Sequence, residues 1–363
     1  MKATFPHMGN LYITVKVLLD ELGLEYVIPP FNNKKALEIG TRYAPELACI
    51  PLKINLGNFI QAAENGADTV LMVGGCGPCR FGYYCEMQRE ILKDLGYNMD
   101  VIVLEPPNGN ISEFVDRIYK LTGKINWLNI INCVRKAVYA TQQADDLEKA
   151  VFRVRPIEVK KGQTDTVYKQ FHTDILQAHG TKQVLEIIKK YKEQILAIQT
   201  VSGHKPMKVG IVGEIYTIID AFTNQYIEEK LGSMGIEVER SLMLGDWIDQ
   251  HLIKQLLHLK YDRQYKNAAK PFLSCMIGGH AQETIGNTVL YANRGFDGVI
   301  QLMPLSCMPE IVAESILPTV EKEFKIPVLT LIIDEMTGET GYMTRIEAFA
   351  DLMERRRTIS VLS

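Results

Sequence analysis

Residues 69 to 104 hold two apolar runs, TVLMVGG and MDVIVLEPP, on either side of one amphipathic stretch, RFGYYCEMQREILKDLG. The first run is apolar through most of its length, the pattern of a strand covered on both faces in a parallel sheet. Strand, helix and strand at this spacing predict a βαβ unit of a doubly wound sheet. The chain upstream fits the same scheme. KATFPHM reads as a short strand, and LYITVKVLLDELG as a helix stopped at Gly23. EYVIPP reads as a second strand. NKKALEIGTRYAPELACIPLKINLGNFIQAAENG then reads as helix, break and helix, with the break at Ala48-Cys49-Ile50-Pro51.

The pattern restarts at MKVGIVG and runs through IEVERS, GVIQLMPLSC and PVLTLIID, with helical segments between them. Residues 112–200 are mostly helical in periodicity, with FRVRPIEV the one candidate strand there. The expected fold is therefore α/β, with two Rossmann-like doubly wound parallel-sheet domains and a mostly helical middle segment. The expected divisions are 1–111, 112–204 and 205–363. The halves rhyme in layout, each running an apolar strand into a cysteine loop and then a helix, and no sequence repeat is read between them.

At 363 residues the chain is long enough for two domains with full cores. The formal net charge of -3 gives no electrostatic case for nucleic acid or an anionic membrane surface. No apolar run approaches the roughly 18 residues that span a bilayer, and the N-terminus lacks the pattern of a signal peptide. The expected location is cytoplasmic.

In a reducing compartment, seven cysteines on a chain of this size fit metal or redox chemistry better than a disulfide framework. Doubly wound sheets present ligands in loops beyond the carboxyl ends of their strands. Cys76 and Cys79 fall in such a loop, GGCGPC, where Gly74, Gly75 and Gly77 let the backbone approach a bound group. Cys307, flanked by Pro304 and Pro309, occupies the corresponding loop of the second half. Cys49 stands at a helix break before Pro51. Thiolates at these positions gain from helix N-termini. A structural zinc ribbon uses two short cysteine pairs. One CxxC plus single cysteines from distant segments suits a 4Fe–4S cluster better, with Cys49, Cys76, Cys79 and Cys307 as ligands. A lone CxxC is weak evidence by itself and also fits a redox dithiol, although Gly82 interrupts the following helix early. Cys85 reads as a core thiol or an extra ligand, and Cys133 as a packed core thiol. Cys275 stands just before Gly278-Gly279-His280, where Gly279 is a second candidate for close backbone approach.

Two titratable groups are candidate acid–base residues. His280 follows two glycines and precedes a helix, a place from which it can protonate a substrate or donate to a cluster sulfide; a helix cap or a core hydrogen bond fits equally well. Glu214, in VGEIYT, is an acid–base candidate whose default role is that of a solvated or capping carboxylate. KVGIVGEIYT is not a G-x-G-x-x-G fingerprint, so no dinucleotide is expected. Tyr83 and Tyr84 read as residues shielding the site from water.

Five segments carry a resemblance: ELACIPLKINLGNFIQAAENGAD, VGGCGPCRFGYYCEMQREIL, GEIYT, GGHAQETIGNTVLYANRGFDGVIQLMPLSCMPEIVAESILP and TLIIDEMTGETGYMTRIEAFADLMERR. Taken together they resemble proteins related to the CoA-substrate-specific activase system. Those in turn resemble the subunits of 2-hydroxyacyl-CoA dehydratases and benzoyl-CoA reductases and the double-cubane cluster proteins. The resemblance implies two Rossmann-like domains with an iron–sulfur cluster between them. It implies a partner ATPase of the actin-like fold, carrying its own 4Fe–4S cluster and injecting low-potential electrons, and an unidentified small-molecule substrate. By the resemblance, Cys49 matches the cluster cysteine before a proline, Cys307 the cysteine of the second domain, and Cys76 and Cys79 the GGCGPC form. A double cubane needs six thiolates, which brings in Cys85 and Cys275. Related subunits pair, so a homodimer is an expectation as well.

Overall fold

The computed structural model describes residues 1–363 except 73–80, 105–110, 124–125, 250–263 and 363. The chain divides into two compact units. One comprises residues 1–145, 174–189 and 244–261; the other comprises 146–173, 190–243 and 262–363.

The first unit is built on β1 (Ala3–Thr4), β2 (Thr69–Met72) and β3 (Asp100–Val103), all parallel in the order β1-β2-β3. A further parallel bridge joins Ala3 to Tyr26 on the free side of β1. It is all that forms of the strand expected at EYVIPP, where Pro29 and Pro30 follow at once and cannot donate to a ladder. The helices are α1 (Leu11–Leu22), α2 (Lys34–Tyr43), α3 (Ile50–Glu64), α4 (Phe81–Asp94) and α5 (Ile111–Thr122). Helix α3 is buried from Ile50 through Ala62, which makes it a central element rather than a surface helix. It crosses α2 where Gly40 and Gly57 leave room: a Cβ on Gly57 would lie 1.9 Å from the Ala36 carbonyl oxygen. Leu52, Leu56 and Phe59 of α3 pack with Val70 and Met72 of β2, with Tyr84 and Leu92 of α4, and with Val103 of β3.

The middle of the chain is helical, as expected. It holds α6 (Trp127–Val154), α7 (Gln163–Gln177) and α8 (Gly180–Leu196). Of the strand expected at FRVRPIEV, only an antiparallel bridge of Glu158 with Thr200 forms. Phe152–Val154 end α6, and Arg155–Ile157 make a 3-10 turn. The alternation arises because Arg155 is itself buried and paired with Asp165 at 2.7 Å, an inward charge that mimics a strand's polar face.

The second unit is built on β4 (Met207–Gly213), α9 (Ile215–Ile219), α10 (Ile227–Ser233) and β5 (Ile236–Arg240). α11 (Leu244–Ile248) belongs to the first unit. The second continues with α12 (Gln264–Ala269), α13 (Ala281–Asn293), β6 (Gly298–Pro304), α14 (Met308–Phe324), β7 (Val328–Ile333) and α15 (Glu339–Leu362). Its four strands are parallel in the order β5-β4-β6-β7. Every residue of β6 is buried, Gln301 included. Among the described residues, no helix is long and apolar enough to cross a membrane.

The two units repeat one another in detail. With the Tyr26 bridge counted, both sheets run second, first, third and fourth strand. GNFIQAAENGADTV (57–70) and GNTVLYANRGFDGV (286–299) agree at six of fourteen positions: Gly, Asn, Ala, Gly, Asp and Val. The matching residues do matching work. Asp68 accepts the Lys2 backbone N–H at 2.7 Å, and Asp297 accepts that of Lys208 at 2.7 Å. Gly66 and Gly295 end their helices in the left-handed region. Gly286 leaves the room on α13 that Gly57 leaves on α3: a Cβ there would lie 2.0 Å from the Tyr265 carbonyl oxygen on α12. The layout rhyme is thus accompanied by a short sequence repeat.

Candidate functional site

Each unit ends a crossover helix with a short turn into its third strand, so the other end of that helix lies toward the carboxyl ends of the strands. In the first unit that end is Cys49, the N-cap of α3. Its backbone is extended (φ -69, ψ 156), Pro51 sits in the first turn, and the side chain makes no capping hydrogen bond. Lys53, one turn further along, is buried and donates to the Glu46 carbonyl at 2.9 Å, tying down the chain that enters the cap. The Cys49 Sγ lies 2.6 Å from the Tyr84 hydroxyl. Cys85 is a buried core thiol, and its Sγ points to the Gly82 carbonyl at 3.7 Å. Cys76, Cys79, Gly74, Gly75 and Gly77 lie outside the described residues. Cys133 is buried on α6, where burial pushes its thiol up.

In the second unit the equivalent helix, α13, has His280 at its N-cap, again without a side-chain capping bond. The loop after β6 delivers Cys307 to the N-cap of α14, with Pro309 in the first turn. Cys49-Ile50-Pro51 and Cys307-Met308-Pro309 are thus the same local device: a half-buried thiol on the last non-helical residue, before a proline that suits the first turn. Ser306, just before the thiol, is held at φ 63, a strained conformation for a residue with a Cβ. Gly279 (φ 52) presses against Pro309, where a Cβ would stand 2.7 Å from its Cγ. The His280 turn and the Cys307 helix end are therefore neighbours. Cys275 is exposed on the chain leading to that turn.

Between β4 and β6 the strand order reverses, and open α/β sheets bind their ligands in the crevice outside the strand ends at such a point. Glu214 directly follows β4. Its carboxylate accepts the backbone N–H groups of Tyr216 and Thr217 at 3.0 and 3.1 Å, so it caps α9, and burial holds its carboxyl above the usual range. The His280 Nε2 lies 3.7 Å from the Glu283 carboxylate.

A fourth group was not singled out from the sequence. Glu310, in the first turn of α14, is fully buried. It accepts from the Thr284 hydroxyl at 3.0 Å and from the Gln301 amide at 2.9 Å, and Gln301 in turn accepts from Thr330. Burial pushes its carboxyl up to about 7, against the pull of Gln301, His280 and Thr284 and with a push from Glu214. In sequence it is an ordinary acidic residue of a first helical turn. Only the packing of α13 and β6 over it makes it a proton-holding group.

The pH consequence follows from the sign of that shift. A carboxyl raised from 4.5 to about 7 favours the fold while protonated, and that contribution is lost as pH rises through the interval. It amounts to ~3 kcal/mol. Glu310→Gln should therefore flatten the decline in unfolding free energy between pH 5 and pH 8. Parallel pH profiles for the two proteins in urea titrations would contradict this.

Among the described residues, no group of three His, Cys, Asp or Glu side chains is arranged to hold a metal ion. The two described candidate thiols are half-buried at helix N-caps, and sulfur is a donor type that suits a soft metal or cluster. No protein-family model matches the chain, and no match to it was found among curated proteins.

Proposed function

We propose that this chain is an iron–sulfur protein whose cluster ligands are Cys49, Cys76, Cys79 and Cys307, and that it works as the reductase or dehydratase component of an ATP-dependent system. The observation that carries this reading is the duplicated Cys-x-Pro helix cap. Two widely separated stretches of sequence spend the same strained or proline-fixed geometry on presenting a thiol at a helix N-terminus. The strand order of each sheet, second, first, third and fourth, matches the flavodoxin-like order among doubly wound sheets, and this supports a ligand site beyond the strand ends. Cys85, committed to the core, and Cys275, on an exposed bend, favour a four-thiolate set over a six-thiolate double cubane.

When bound, such a cluster supplies one-electron transfer at low potential. The chain's own residues supply the rest. Cys49 and Cys307 are held by their caps and prolines. Glu310 holds a proton near neutral pH, in the electrostatic field of His280 and Glu214. His280 is the group that presents a proton to a small substrate, and Glu214 fixes the end of β4 from which that substrate is approached. The electron donor in this reading is an actin-like-fold ATPase with its own 4Fe–4S cluster, and the protein works in the cytoplasm, with pairing into a homodimer.

Cysteine variants test the ligand set. Cys49→Ser and Cys307→Ser are expected to lose most of the bound iron after anaerobic purification, and Cys133→Ser to retain it. Full iron retention in Cys307→Ser, read by metal analysis and the visible spectrum, would sink the assignment.

A further inference from the structure

Tyr83 and Tyr84 are consecutive on α4 and have opposite environments: Tyr83 is 67% exposed and Tyr84 3%. Helix geometry turns the second ring into the core formed by α3, β2 and β3, where Cys49 also packs. A buried phenol needs a hydrogen-bond partner. Here the oxygen lies 2.6 Å from the Cys49 Sγ. A neutral thiol is a weak acceptor. A thiolate is an anion, and hydrogen bonds to ionised acceptors are roughly twice as strong as neutral ones. Either atom can be the donor in this contact; when Cys49 ligates a metal its sulfur is a thiolate with no proton to give, and the phenol is then the donor.

We propose that Tyr84 is a positioning residue that donates its phenolic hydrogen bond to the Cys49 sulfur, fixes the orientation of that ligand and raises the reduction potential of the iron–sulfur group it holds. This rests on the iron–sulfur reading given above. Lys53 holds the chain entering the cap through the Glu46 carbonyl, and Tyr84 holds the sulfur. The direction of the effect is electrostatic. Reduction adds negative charge to the cluster and its sulfurs, and a donor aimed at one of them stabilises the reduced state more than the oxidised one.

The test is a redox titration of anaerobically purified protein, followed by EPR, with iron per chain measured on every sample. Tyr84→Phe removes the donor and keeps the ring. It is expected to make reduction about tenfold less favourable, equivalent to ~59 mV for a one-electron couple. Tyr83→Phe, on the exposed neighbour, should leave the potential where it is. Replacing Tyr84 with 3-fluorotyrosine, whose hydroxyl is a stronger donor, should raise the potential; a merely structural ring would not respond. Equal iron in all samples with an unmoved potential overturns the role of Tyr84 and leaves the iron–sulfur reading standing. A wild-type protein without iron overturns both. If Tyr84→Phe fails to retain iron, the fluorotyrosine protein decides: a raised potential supports the role, and an unchanged one overturns it.

Discussion

Gly57→Ala and Gly286→Ala each lower the stability of their unit by roughly 3 kcal/mol. Helix propensity alone gives the opposite sign, because alanine is favoured over glycine inside a helix by about 1 kcal/mol. Packing decides the matter. The new methyl would stand 1.9 Å from the Ala36 carbonyl oxygen in the first case and 2.0 Å from that of Tyr265 in the second. Both obstacles are backbone of a neighbouring helix, so no side chain can swing away. The helices must separate, and the α2–α3 crossing is part of what holds the Cys49 cap, just as the α12–α13 crossing sets the position of His280. A lowered urea midpoint for each variant is the expected result. A midpoint equal to or above that of the wild type would mean that the helices are free to part and that the glycines are there for another reason.

Arg240→Met has an effect of similar size by a different route. Arg240 is buried at the end of β5, with its Nε 2.6 Å from the Glu228 carboxylate and its Nη1 3.0 Å from that of Glu148; the guanidinium lies 4.8 Å from the Phe152 ring centroid. Replacing the whole triad with apolar groups can be neutral, but removing one partner leaves buried charge uncompensated, at about 3–5 kcal/mol. The loss depends on pH. Burial already holds the Glu148 carboxyl above its usual range, with Arg240 opposing that push. Without the arginine the carboxyl rises further. The variant's deficit is then smallest in acid, where the Glu148 carboxyl is protonated, and grows as pH rises toward neutrality. A deficit that does not change between pH 4.5 and pH 7.5 would contradict this account of the triad.

The strands were legible because parallel strands covered on both faces leave uninterrupted apolar runs: TVLM, DVIV, MKVGIVG and GVIQLMP all stand where the pattern put them. FRVRPIEV misled because its alternation came from a buried ion pair, Arg155 with Asp165, which is a tertiary feature. The repeat was in the sequence throughout, as Gly-Asn followed by Gly-x-Asp-x-Val. Its meaning is clear only when Asp68 and Asp297 are seen accepting the same backbone N–H at the start of the first strand. For the candidate site, the Cys-x-Pro caps at Cys49 and Cys307 follow from the order of helix and proline. The partners that shape the site do not. Tyr84 meets Cys49 across 35 residues, and Glu310 meets Thr284 across 26. Those distances close only when α3 packs on α4 and α13 on α14, and no local spacing encodes them.

Iron and acid-labile sulfide per chain, measured on protein purified without oxygen, decide whether these cysteines hold a cluster. Roughly four of each are expected, as a Cys₄-held cubane requires, with a visible absorption that bleaches on reduction. A colourless protein holding zinc, or no metal at all, would contradict it.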